Sequence, residues 1–127
     1  MLTVQTSPGE FLDKLTILEI KSERMRDAAK LVNVRRELEL LRATWAASPL
    51  VSRDVSAPVA ALKQVNEALW DIEDRIRAKE AAQAFDAEFV ELARSVYRTN
   101  DRRAEIKREL NVALGSDLIE EKSYEAY

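Results

Sequence analysis

Apolar side chains recur along this chain at helical spacing, and three such runs can be followed in turn. The first opens at Ser7-Pro8-Gly9-Glu10, where Ser7 is a natural cap, Pro8 suits the first helical position and Glu10 stands at the capping-box position. Phe11, Leu15, Leu18, Met25, Ala29 and Val32 then alternate steps of four and three, and Val34, Leu38 and Leu41 continue the period. The pattern predicts one long helix over residues 7–41, with a kink conceivable at 30–34, fading at Trp45. Ser48-Pro49 ends it, because the residue before a proline is pushed out of the helical region. Residues 48–58 carry two of the three prolines and three serines and read as the one clear loop, flexible over about 47–57.

The second run carries Leu62, Val65, Leu69, Ile72 and Ile76, with a start near Ser56 and Pro58 in its first turn. The third has Asp86 as cap, a staple between Phe85 and Val90, and Phe89, Leu92, Val96, Ile106, Leu110 and Ala113 turned inward. Gly115 is its expected left-handed end. A short extended arm at residues 2–5, a short further helix from Asp117 and a tail at 116–127 complete the reading. The fold class is therefore all-α: an antiparallel three-helix bundle with long helices, forming one domain over 1–127.

The seams turn polar in their middle. Val96, Asn100, Arg103, Lys107, Leu110 and Leu114 form one stripe of the third helix, while Asn66, Trp70, Glu73 and Arg77 form one on the second. On the first helix, Lys14, Ile17, Lys21, Arg24 and Ala28 do the same, with Glu10 and Asp13 beside them. Unpaired buried charge costs several kcal/mol, so such groups must pair or meet a ligand. The plainer reading lays the Lys and Arg stems along the seam edge and pairs their heads on the surface. Asn66, Asn100 and Asn111 cannot snorkel in that way, although a structural network would also satisfy them. If the stripes converge, Lys14, Lys21, Arg24, Arg77, Arg103 and Lys107 outnumber Glu10, Asp13 and Glu73. That balance suits a carboxylate, a phosphate or a nucleotide sugar.

Composition narrows the chemistry. Charged residues make up 34% of the 127, with two Gly and three Pro, as long helices require. The absence of Cys and His removes disulfides, thiolate chemistry and His-dependent triads. No metal ligand set and no cofactor is expected; Asp71, Glu73, Asp74, Glu88 and Glu91 only partly match the carboxylate pairs that hold magnesium in helical pyrophosphohydrolases. A net charge of -3 gives no basic footprint for nucleic acid. With no membrane-spanning run and no signal-like N-terminus, cytoplasmic placement is expected, and a second copy of the chain is the natural cover for a spare apolar face.

The words SPGEFLDKLTILEIK at 7–21, LWDIEDRIR at 69–77, YRTNDRRAEIKRELN at 97–111 and GSDLIEEKSY at 115–124 resemble a family of small bacterial proteins described only as a domain of unknown function. The resemblance spans nearly the whole chain. It implies a helical domain in the company of tetratricopeptide-repeat or glycosyltransferase modules, hence a surface-glycan setting, and it assigns no activity. The first helix is also similar in style to that of the helical chorismate mutases, but the later residues do not line up and none carries over.

Three functions fit these readings. The first is a module that binds a small anionic metabolite or glycan precursor, with Glu10, Asp13, Lys14, Lys21, Arg24, Asn66, Glu73, Arg77, Asn100, Arg103, Lys107 and Asn111 as candidate contacts. The second is a helical enzyme using the same pocket, with Glu10 or Glu73 as acid–base and Arg103 and Lys107 stabilising charge. The third is an interaction domain that docks a partner helix.

Overall fold

The computed structural model describes residues 1–127 and contains four α-helices and one short 3-10 turn. They are α1 (Pro8–Arg24), α2 (Ala28–Ala47), the 3-10 turn (Pro49–Ser52), α3 (Ser56–Ala81) and α4 (Ala87–Ala113). The all-α class holds, but the helix count is four: the long first helix expected from the periodicity is two helices. Met25 is extended, with φ -73° and ψ 144°, and Asp27 caps a new helix by accepting from the Lys30 N–H at 3.0 Å. Asp27 is a stronger start signal than the uninterrupted apolar period on either side of it. The break falls at residues 25–27, ahead of the conceivable kink at 30–34.

The break turns α2 back along α1. Phe11 stacks on Trp45 with ring centroids 6.2 Å apart, and Lys14 pairs with Glu37 at 2.7 Å. It also resets the helical phase, so Ala29 and Val32 of the expected seam face solvent while Val34 and Leu38 are buried. α1 consequently lies at the centre and packs on α2, α3 and α4, whereas the backbone of α2 approaches only α1 and the 3-10 turn.

The caps mostly follow the sequence. Ser7 accepts from the Glu10 N–H at 3.2 Å, Asp86 from the Phe89 N–H at 3.0 Å, and Gly115 closes α4 with φ 67°. The reciprocal half of the capping box is not made, because the Glu10 carboxylate goes to Lys107 instead. Phe85 and Val90, the expected staple, are both exposed, and Phe85 sets its ring edge-on against Phe89, 5.2 Å away. In the Ser/Pro segment, Ser48 caps the 3-10 turn, and Arg53 donates to the Ala113 carbonyl at 2.8 Å.

No short helix follows Gly115. The Ser116 hydroxyl accepts from the Leu118 N–H and donates to the Leu118 carbonyl, a local turn that competes with helix formation. Residues 116–127 instead run back beside α4, where Arg108 meets Glu121 at 3.1 Å and the Tyr127 hydroxyl donates to Asp101.

The core is Leu12, Leu15, Leu18, Val34, Leu38, Leu62, Ile106, Leu110 and Leu114. Of the expected α3 stripe only Leu62 is fully buried; Val65, Leu69, Ile72 and Ile76 are half-buried, and on α4 Ala113 is exposed. Length explains this. At 1.5 Å per residue α1 spans about 26 Å and the two hairpin helices about 40 Å each, so one end of the hairpin has no third helix to cover it.

Candidate functional site

Gly9, Asp13, Thr16 and Ile20 step by four, three and four along the face of α1 that meets α3 and α4, and all four are buried. Two of these side chains are polar, and the neighbouring helices answer them. Arg103 of α4 grips the Asp13 carboxylate with two nitrogens, Nε reaching Oδ1 at 2.8 Å and Nη2 bonding Oδ2. Asn66 of α3 donates its amide to the same Oδ1 at 2.9 Å and to the Thr16 hydroxyl at 3.0 Å. Thr16 in turn donates to the Asp13 carbonyl at 2.8 Å. Asp13 is only 2% exposed, and its hydrogen bond and charge hold the Arg103 guanidinium above its ordinary pKa against the pull of burial.

One turn further along α4, Lys107 is 8% exposed and sits between Glu10 at 2.9 Å and Glu120 of the tail at 3.0 Å. Burial pulls its pKa down, but the two carboxylates outweigh that and raise it. A further turn on, the Asn111 side-chain oxygen accepts from the Gly9 N–H at 2.7 Å, satisfying a free donor of the first turn of α1. Gly9 is required there: a Cβ would stand 2.5 Å from the Lys107 carbonyl and 2.8 Å from Asn111. No buried side-chain nitrogen or oxygen lacks a partner.

Of the candidate contacts, Glu10, Asp13, Asn66, Arg103, Lys107 and Asn111 therefore come together along α1. The others lie outside this cluster, although Glu73 and Arg77 line a cleft beside it together with Asn66 and Arg103. Lys14 pairs with Glu37 of α2, and Arg24 pairs with Asp71 at 2.6 Å and Glu67 at 3.7 Å on α3. Lys21 is half-buried without an ion partner, and Asn100 faces the tail. Glu73 is not the acid of Arg103; it pairs with Arg77 at 3.2 Å on an exposed rim. The basic majority expected of a converged site is thus absent, since Arg103 and Lys107 meet Asp13, Glu10 and Glu120. Asp71, Glu73, Glu88 and Glu91 are each taken up by Arg or Lys, and no three acidic side chains gather where a metal ion could sit.

Beside the Asp13 cluster, where α1 parts from the α3–α4 pair, lies an open cleft of about 400 Å³. Its walls are Ile17, Ile20, Leu69 and Trp70, its floor Asn66 and Arg103, its rim Glu73, Asp74 and Arg77. Asn66 and Arg103 are drawn together by sharing one Asp13 oxygen, which leaves Asn66 Oδ1 and Arg103 Nη1 without a partner in the protein. Neither atom is sealed from solvent. A second, wider hollow of about 850 Å³ lies between α4 and the tail, beside Tyr97, Asn100, Asp101 and Tyr127. Its outer wall is made of exposed tail residues, and it holds no buried polar group.

Sequence reasoning missed Thr16 and Gly9. Thr16 was legible as the residue three beyond Asp13 on one face. Gly9 was legible as a glycine kept inside a helical turn, where it is otherwise unfavourable.

No curated protein matches this chain, and no solved structure does. A family match covers residues 2–127, and the protein belongs to that family, described as a family of unknown function (DUF6165).

Proposed function

We propose that the protein is a small-molecule binding module whose cleft between α1, α3 and α4 takes a hydroxyl-bearing ligand of about the size of one sugar unit. The observation that carries this reading is that Asn66 and Arg103, which meet on one Asp13 oxygen and both line the cleft, each keep a polar atom without a partner in the protein, an acceptor on Asn66 and a donor on Arg103. A hydroxyl group donates and accepts at once, so it matches that pair, whereas a carboxylate or phosphate only accepts. Apolar walls with a few fixed polar groups are the usual make-up of a ligand site, and the volume lies within the ordinary range of about 300–1,000 Å³. Trp70 offers the flat apolar surface on which the carbon face of a sugar packs. An anionic substituent on the ligand would meet Arg77 at the rim, which keeps a glycan precursor within the class. Binding is favoured over catalysis because Glu10 is drawn to Lys107, leaving only solvent-open carboxylates, Glu73 and Asp74, as acid–base groups.

The test is fluorescence of Trp70 in a Trp45→Phe background, titrated with neutral sugars, sugar phosphates, dicarboxylates and inorganic phosphate. Sugars should perturb the emission and raise the melting temperature, by up to about 2.7 kcal/mol of stability at 100 times the dissociation constant. Arg77→Ala should weaken only the phosphorylated members. A response to phosphate and dicarboxylates alone would reject the hydroxyl reading, and silence across the panel would reject a ligand of this class.

A further inference from the structure

We propose that the outer face of α2 docks the protein on an anionic phospholipid surface, with the helix lying flat in the headgroup layer. Every Lys and Arg of α3 and α4 makes an ion pair within the chain. On α2 the pattern reverses. Lys30, Arg35, Arg36 and Arg42 are all exposed and none is ion-paired; the ion pair that does reach this helix uses its Glu37, with Lys14 of α1. Glu39 is the one acid left free among them. The helix therefore keeps a surplus of uncompensated positive charge, although the chain carries -3 overall and the rest of its surface is more acidic still. Free cations gathered on one element of an acidic protein give that face a local field that attracts anions.

The arrangement of the face favours lipid among anionic partners. Arg36 stands in the middle of the side turned away from α1, with Val32 and Leu40 one turn before and after it, 55% and 59% exposed. Arg35 and Arg42 flank that side on one edge and Lys30 on the other. Apolar side chains set between cations gain nothing against phosphates in water, whereas at a membrane they enter the boundary between headgroups and acyl chains. Twenty residues make a rod about 30 Å long, and the convex side of a single rod meets a flat surface along its whole length. More apolar side chains stand at the C-terminal end of α2. There Thr6 and Ser7 share a hollow with Thr44 and Trp45, and the arm that leaves from Thr6 carries Met1, Leu2 and Val4, all open to solvent. The same anionic surface repels the acidic remainder of the protein, so contact is made in one orientation.

Vesicle flotation of the full chain tests this, with phosphatidylcholine alone and with phosphatidylcholine and phosphatidylglycerol mixed two to one. The protein should float with the anionic vesicles and stay behind with the neutral ones, and molar salt should release it. Arg36→Gln together with Arg42→Gln should weaken binding about thirtyfold. Val32→Ser together with Leu40→Ser should weaken it at unchanged charge. Arg94→Gln with Arg98→Gln removes the same charge from α4 and should leave binding close to the parent's. All these positions are exposed, and circular dichroism of each variant should overlay the parent's. Absence of flotation with anionic vesicles overturns the proposal, as does an equal loss from the α4 variant, which would make net charge rather than this face responsible. Capture of single-stranded RNA or polyglutamate by α2 in place of vesicles would likewise reject lipid as the partner.

Discussion

The end of the molecule where α1 crosses α4 and the free end of the α3–α4 hairpin are built from the same residue types with opposite consequences. At the crossing, Asp13, Arg103, Glu10 and Lys107 pair across helices that are distant in sequence, with Asp13 and Lys107 buried. On the hairpin arm, Arg75 with Glu88, Lys79 with Asp86 and Arg94 with Glu91 pair between close neighbours in open water. What separates them is the third helix. Where α1 covers the hairpin, water is excluded, and an unmet charge would cost several kcal/mol. Where α1 has ended at Arg24, Leu92 is the one fully buried side chain of the arm, and an ion pair exchanges with solvent at little net gain.

This contrast can be broken at its strongest point first. Arg103→Met strands the Asp13 carboxylate with Asn66 as its main donor, and denaturant unfolding should show a loss of about 3 kcal/mol. A midpoint that does not move would mean the cluster holds no fold together. Gly9→Ala drives a methyl group into the Lys107 carbonyl, which is backbone and cannot swing away, so a loss of about 2 kcal/mol is expected. Retained parental stability would show that α1 can slide off α4 without cost. Ser7→Ala removes the cap of the same helix and should lower stability by ~1 kcal/mol in thermal or chemical melts.

Acid and alkali sharpen the comparison. Lys107 is held above its ordinary value of about 10.4, so its contribution is complete below that pH and disappears as pH rises through the higher folded value. Lys107→Met should shrink this alkaline limb in a plot of stability against pH, leaving the part that belongs to Lys63 and Lys79, which are raised too. On the arm, Lys79 holds Asp86 and Glu88 below the usual carboxylate range, so their contribution is present above about pH 4 and is lost on acidification. Because both are open to solvent, that acid limb should flatten in molar salt while the alkaline one persists. The smallest effect belongs to Lys79→Ala, which should lower the unfolding midpoint only slightly at neutral pH and shrink that acid limb.

Much of this architecture was written locally. The starts at Ser7, Ser56 and Asp86, the stop at Gly115 and the inward stripe of α4 are each decided by neighbours within one turn, and the sequence determined them. Asp27 was equally local, but the unbroken apolar period around it masked its cap. The pairing of the seam residues was not local. Arg103 finds Asp13 across ninety residues, Lys107 finds Glu10 and Glu120, and Asn111 finds the Gly9 N–H, while Lys14, Lys21 and Arg24 of the same periodic stripe are carried elsewhere. Periodicity fixes the angle of a side chain about its own helix axis. Which partner stands opposite depends on how far each helix runs and where α1 stops, and only the packed tertiary structure decided that.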